Sequence, residues 1–115
     1  MKTRLTHVRI NVSDFQKALA WYQDVLGFEP DGTAWPPEKP TYIGFQSMQG
    51  AGFSIMEDKT GGCGRLNFSV EDVDALWAQL KDKAKVVEEL FNTPWGSRKF
   101  TIGDPDGNEL GFVQD

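Results

Sequence analysis

His7-Val8-Arg9-Ile10-Asn11-Val12 and Arg65-Leu66-Asn67-Phe68-Ser69-Val70 are two readings of one pattern. In the first, Val8, Ile10 and Val12 share one face while His7, Arg9 and Asn11 share the other. In the second, Leu66, Phe68 and Val70 alternate with Arg65, Asn67 and Ser69. Side chains alternate across a strand with a period of two, so each segment is a strand with one face on a core. Each is followed by a helical pattern. After the first, Phe15, Ala18, Leu19, Tyr22, Val25 and Leu26 recur at helical spacing. Ser13 reads as the N-cap with Gln16 completing a capping box, and Gly27 reads as the stop. After the second, Val73, Leu76, Trp77, Leu80 and Ala84 form the apolar stripe, with Glu71, Asp72 and Asp74 at the start, where capping and the helix dipole favour acids.

The repeat extends to the ends of both halves. Asp14 falls on Asp72 and Ala20 on Ala78, and Gly52-Phe53-Ser54-Ile55-Met56 overlays Glu109-Leu110-Gly111-Phe112-Val113. Strands are expected over Leu5–Val12, Thr41–Met48 and Gly52–Glu57 in the first half. In the second they are expected over Val86–Leu90, Ser97–Ile102 and Glu109–Gln114. Asp31 to Pro40 is a Gly/Pro-rich loop, and Asp104-Pro105-Asp106-Gly107-Asn108 is a hairpin turn in which Gly supplies positive φ. Neither half could bury its helix stripe and its sheet alone, so internal repetition governs the fold. The expected organisation is one α+β domain over 1–115, with module one at 1–58, a connector at 59–63 and module two at 64–115.

Composition narrows the function classes. The chain has 115 residues, 39% hydrophobic and 25% charged, an ordinary globular mix rather than a disordered one. No apolar run approaches the length of a membrane span, and the N-terminus shows no apolar leader, so a cytoplasmic setting is expected. Cys63 is the single cysteine, which excludes an intrachain disulfide and a thiolate zinc cluster within one chain. A net charge of −5 with no basic stripe argues against nucleic acid as a partner. Gly61-Gly62-Cys63-Gly64 lacks the Gly-Lys-Ser/Thr ending of a phosphate loop, and Cys63 reads as an ordinary thiol.

The repeated module, ending in Pro94-Trp95-Gly96-Ser97-Arg98-Lys99-Phe100 and Asp104-Pro105-Asp106-Gly107-Asn108, resembles the vicinal oxygen chelate superfamily of glyoxalases, bleomycin-resistance proteins and extradiol dioxygenases. His7 on the first strand and Trp21-Tyr22-Gln23-Asp24-Val25-Leu26-Gly27-Phe28 closing the helix fit its first module. The resemblance covers essentially the whole chain and lies closest to the small bleomycin-resistance-like branch. It implies two tandem βαβββ modules forming a curved mixed sheet around a cleft, and a homodimer. It also implies four metal-ligand positions, which fall here on His7, Ser54, Arg65 and Gly111. Only His7 is a ligand of the family's kind. Glu109 has the strand parity of Gly111 and is the nearest substitute, whereas Glu57 has the parity opposite to Ser54. No metal and no cofactor is therefore expected.

The expected function is metal-independent binding of a small planar or aromatic molecule, with antibiotic sequestration as one form of it. A charge of −5 is compatible with a cationic ligand. The rival is a glyoxalase-type lyase or isomerase using His7 and Glu109; a third reading is a structural domain whose cleft is filled. Candidate ligand-binding residues are His7, Arg9, Trp35, Phe45, Ser54, Arg65, Trp95, Arg98, Phe100 and Glu109. His7 is either a vestigial ligand, hydrogen-bond partner or proton carrier, or a histidine satisfied by backbone. Arg9, Arg65 and Arg98 either converge on an anionic group or are paired, with Glu109 the expected partner of Arg65. Trp35 and Trp95 are expected at a pocket wall or dimer interface. Phe45 and Phe100 either line the pocket or fill it.

Overall fold

The computed structural model describes residues 1–3 and 5–115. Contacts divide the chain into two compact units, Met1–Gly61 and Gly62–Asp115. The first carries β1 (His7–Val12), α1 (Phe15–Asp24), β2 (Tyr42–Phe45) and β3 (Gly52–Glu57). The second carries β4 (Arg65–Ser69), α2 (Val73–Leu80), β5 (Lys85–Asn92), β6 (Arg98–Gly103) and β7 (Glu109–Gln114). The class is α+β, with two separate sheets of three and four strands.

The two sheets repeat one topology. Their orders are β1-β3-β2 and β4-β7-β6-β5. The module's first strand runs parallel to its last, and the last pairs antiparallel with the one before. The outer β5 of the second unit has a reduced counterpart in the first, where only the bridges Pro30↔Phe45 and Trp35↔Tyr42 extend the sheet. The cause is local. Pro30, Pro36, Pro37 and Pro40 have no amide to donate, and Gly32 sits at φ +106. Both chains of strands thus fit a βαβββ module, with one strand of the first cut to two bridges.

Both helices start on the same device. The N-cap of α1 is Asp14, whose carboxylate accepts from Lys17 N at 3.1 Å; the cap expected at Ser13 lies one residue further on. Aspartate in extended backbone satisfies the free amides of the first turn as serine would, and the pattern of apolar residues does not separate the two. Asp72 does the same for Ala75 N at 3.0 Å. A second free amide is met from the sheet: Phe15 N donates to Glu57 Oε2 at 2.9 Å, and Val73 N donates to Gln114 Oε1 at 2.8 Å. Glu57 and Gln114 occupy equivalent ends of β3 and β7, so each helix is fastened to its module's last strand.

The cores lie between helix and sheet. In the first unit Tyr22 packs against Phe45 and Phe53, with ring centroids 5.6 Å away in each case, beside buried Ile10, Val12, Phe15, Ile43 and Ile55. In the second, Phe100 stacks on Phe112 at 5.3 Å and meets Trp77 at 5.2 Å, over Val73, Leu80, Ile102 and Leu110. The Asp104–Asn108 turn joins β6 to β7 as expected. Asp104 Oδ1 accepts from the amides of Asp106 and Asn108, and fully buried Asn108 accepts from Gly64 N at 2.6 Å, which seats the start of β4. Gly62, at φ +101, lies against the Asp106 carbonyl where a Cβ would collide.

The fastening of α1 to β3 is testable. Glu57→Ala leaves the Phe15 amide without its partner and should lower the unfolding free energy by about 1–2 kcal/mol. Glu57→Gln, which copies the Gln114 arrangement, should retain most of it. Urea denaturation followed by circular dichroism measures both.

Candidate functional site

Strand register assigns every side chain to a helix-covered face or an open one. On the sheet of the first unit, Arg9 pairs with Ser54 and Ser54 with Gly44; the next row is Asn11, Met56 and Tyr42. Trp35 exchanges backbone hydrogen bonds with Tyr42 in both directions, at 2.9 and 3.0 Å, so their side chains share a face. Val8, Ile10, Val12, Phe53, Ile55, Ile43 and Phe45 have the other parity and face α1. His7, Arg9, Ser54 and Trp35 are therefore brought to one face, which Tyr42, Met56 and Asn11 complete.

Phe45 is not part of that face. It is 4% exposed and packed among Tyr22, Phe28 and Phe53 beneath α1, so it is a core residue and not a pocket wall. The sequence run from Thr41 to Met48 leaves the parity of Phe45 open, and pairing with β3 decides it. Strand alternation from Ile43 would have identified Tyr42.

The open face contains an unusual hydroxyl. Ser54 is 3% exposed and its Oγ has no hydrogen-bond partner among the described residues. A buried polar group left unpaired costs about 1–3 kcal/mol, so the position calls for a partner that the described residues do not provide. Beside it, Arg9 Nη1 donates to the Met56 sulfur at 2.9 Å and has no carboxylate at ion-pair distance. His7 Nδ1 lies 3.2 Å from the Thr6 hydroxyl. At the strand end Asp58 is turned to Thr60, accepting from its amide at 2.9 Å and its hydroxyl at 2.8 Å. Those two hydrogen bonds, with a smaller contribution from the charge of Arg9, hold the Asp58 carboxyl below its ordinary value.

The open face of the second unit is internally paired. Arg65 and Glu109, cross-strand neighbours, form an ion pair. Asn67 lies over Gly111, its amide oxygen filling the space a Cβ would need. Thr101 donates to Glu88 at 3.1 Å, and Lys99 lies 3.8 Å from the same carboxylate. Arg98 does not join this face. Its parity is that of Gln114, and its guanidinium is held by Asp74 and Asn92 on the α2 side, so it does not converge with Arg65. Asp74, expected at a helix-start position, thus serves as its counter-ion. Phe100 is fully buried under α2 and lines no pocket. Trp95, 77% exposed, caps the turn between Thr93 and Ser97. Beside that turn an open cavity of about 270 Å³ is lined by Asp74, Asn92, Thr93, Ser97, Arg98 and Gln114. Their polar groups are bonded to one another or to α2.

A model of the Glyoxalase/Bleomycin resistance protein/Dioxygenase superfamily matches residues 4–112. The chain belongs to that superfamily. The Uncharacterized protein YaeR of Escherichia coli (strain K12) is 28% identical over 116 residues, spanning 90% of both chains. A glyoxalase / bleomycin resistance protein from Catenulispora acidiphila DSM 44928 is 30% identical and superimposes with a TM-score of 0.77 over 98% of this chain and 99% of its own. A lactoylglutathione lyase from Agrobacterium tumefaciens shares 20% identity and a TM-score of 0.78, over 99% and 95% of the two chains. That last likeness concerns architecture.

The superfamily's divalent metal can be tested against the donors present. Of the four carried-over positions, His7 offers an imidazole and Ser54 a hydroxyl, Arg65 is a cation already neutralised by Glu109, and Gly111 has no side chain. Glu57 faces α1 and caps it. Among the described residues no group of three His, Cys, Asp or Glu side chains could hold a metal. A divalent ion needs several convergent neutral or anionic donors. These residues do not fit it.

The Asp58 environment gives a pH expectation. With its carboxyl pKa depressed in the folded state, the stabilisation is present above the unfolded value and is lost as pH falls through the folded one. A carboxyl-carbon NMR titration should place the Asp58 midpoint below the usual value of about 3.9. Thr60→Ala should move it part of the way back, the backbone amide remaining.

Proposed function

We propose that the chain binds a small planar or aromatic molecule without a divalent metal, at the open face of the first module. The observation that carries this is Ser54: a buried, unpartnered hydroxyl on a face that also presents Arg9 and ends in Tyr42 and Trp35. Trp35 is 64% exposed on a Pro-rich loop, where so large an apolar surface serves stacking better than it serves the core. Binding is itself the activity under this reading, and sequestration of an antibiotic is one form it takes. The donor set of this face is suited to holding polar ligand atoms rather than a metal. On the second sheet's open face Arg65 is paired with Glu109, and Thr101 and Lys99 with Glu88, so these groups set shape more than they seek a ligand.

Tryptophan fluorescence tests the reading. A panel of 2-naphthoate, 2-naphthamide and 2-naphthylmethylamine should include at least one member that quenches saturably in the presence of EDTA. Trp35→Ala should weaken that member about tenfold, the scale of one lost aromatic stack. Quenching abolished by EDTA and restored by Ni²⁺ or Zn²⁺ would replace this reading with a metal-dependent one. No quenching by any member would remove it.

A further inference from the structure

We infer that this site selects ligands bearing a carboxylate, seated on Arg9 and Ser54, with the ligand's aromatic body directed toward Tyr42 and Trp35. The inference rests on the small-molecule reading above and names its ligand class.

The three described arginines set the argument. Arg65 is paired with Glu109, and Arg98 with Asp74. Among the described residues Arg9 has no carboxylate at ion-pair distance, and the hydrogen bond it makes to a side chain is to the Met56 sulfur, a weak acceptor. A guanidinium offers donors in a planar fork and no acceptor, and it matches the two coplanar oxygens of a carboxylate. Asp58, whose carboxyl feels the charge of Arg9, accepts its hydrogen bonds from Thr60. Among the described residues the guanidinium thus has a nearby acidic charge but no carboxylate at ion-pair distance.

Ser54 supplies the second donor. It is the direct cross-strand neighbour of Arg9, and its hydroxyl has no acceptor among the described residues. On its other side stands Gly44, which has no side chain. Adjacent strands lie about 4.8 Å apart, so Arg9, Ser54 and Gly44 span roughly 10 Å, the scale of a bicyclic aromatic acid. The row beside them ends in Tyr42, with Trp35 at the sheet edge. An anionic oxygen pair at one end and a ring at the other satisfy every unmet group of this face. A ligand cation would meet the guanidinium with like charge, and a carboxamide would present one acceptor where the site offers two donors.

The test compares the three naphthalene probes, isosteric at the ring and different in charge, by tryptophan quenching and calorimetry. The full chain, Arg9→Gln, Arg9→Lys and Ser54→Ala are compared, with each variant's fold checked by circular dichroism. The expected result is 2-naphthoate binding roughly ten- to hundredfold tighter than 2-naphthamide, with 2-naphthylmethylamine weakest. Arg9→Gln should remove the preference for the acid, Arg9→Lys should keep part of it, and Ser54→Ala should reduce acid affinity several-fold. Equal affinity for acid and amide, or a preference that survives Arg9→Gln, would overturn the carboxylate seat and leave small-molecule binding standing. Failure of all three probes would overturn the binding reading itself. Should Arg9→Gln not fold, the ranking of the probes on the unmodified chain decides the matter.

Discussion

Everything at the candidate site depends on the burial of Ile10, Val12, Ile43 and Ile55 beneath α1, which fixes the face of the sheet that the helix covers. The hydrogen bond from Phe15 N to Glu57 Oε2 fastens the first turn of α1 to the end of β3 in that arrangement. Because side chains alternate, a slip of one residue would send Arg9 and Ser54 into the core and bring Ile10 and Ile55 out. Gln114 and the Val73 amide do the same work in the second half. One is a carboxylate and the other a carboxamide, so the device needs an acceptor on a side chain of that length and position, not a charge.

Once that parity is set, the two open faces differ in what they leave unsatisfied. In the second unit, Arg65 faces Glu109, Asn67 covers Gly111, and Thr101 and Lys99 meet Glu88. In the first, Gly44 and Gly52 contribute no side chains, and Arg9 and Ser54 are left with little to bond. Two modules with one topology have thus diverged in their polar bookkeeping. The superfamily's fold accommodates this because the cores that hold it up lie on the helix side, untouched by the choice of residues on the open face.

The alternating strands were legible in the sequence. The bounds of β3 and β7 follow directly from their alternation, and the Asp104–Asn108 turn from its Gly and Pro. The cap at Asp14 was missed by one residue because Ser13 and Asp14 are chemically equivalent as caps. The site was less legible. Alternation in β1 and β3 places His7, Arg9 and Ser54 on one face from the sequence alone. Phe45 and Arg98 stand on the helix side; each begins or ends its strand, where parity rests on pairing with a neighbour that the sequence does not specify. The pairing of Arg98 with Asp74, from a helix residue distant in sequence, is a tertiary event. So is the lack, among the described residues, of a carboxylate at ion-pair distance from Arg9.

The two bridges that stand in for a fourth strand give the first module an uneven mechanical profile. A strand paired along its length opens only with the sheet. A segment joined to the sheet by two isolated bridges can open locally at lower free-energy cost. Trp35 is carried by that segment, while Arg9 and Ser54 stand on paired strands. The face therefore combines a rigid polar end with a compliant aromatic one. On the proposed reading, such a face is strict about the position of a charged group and tolerant of the outline of the ring attached to it.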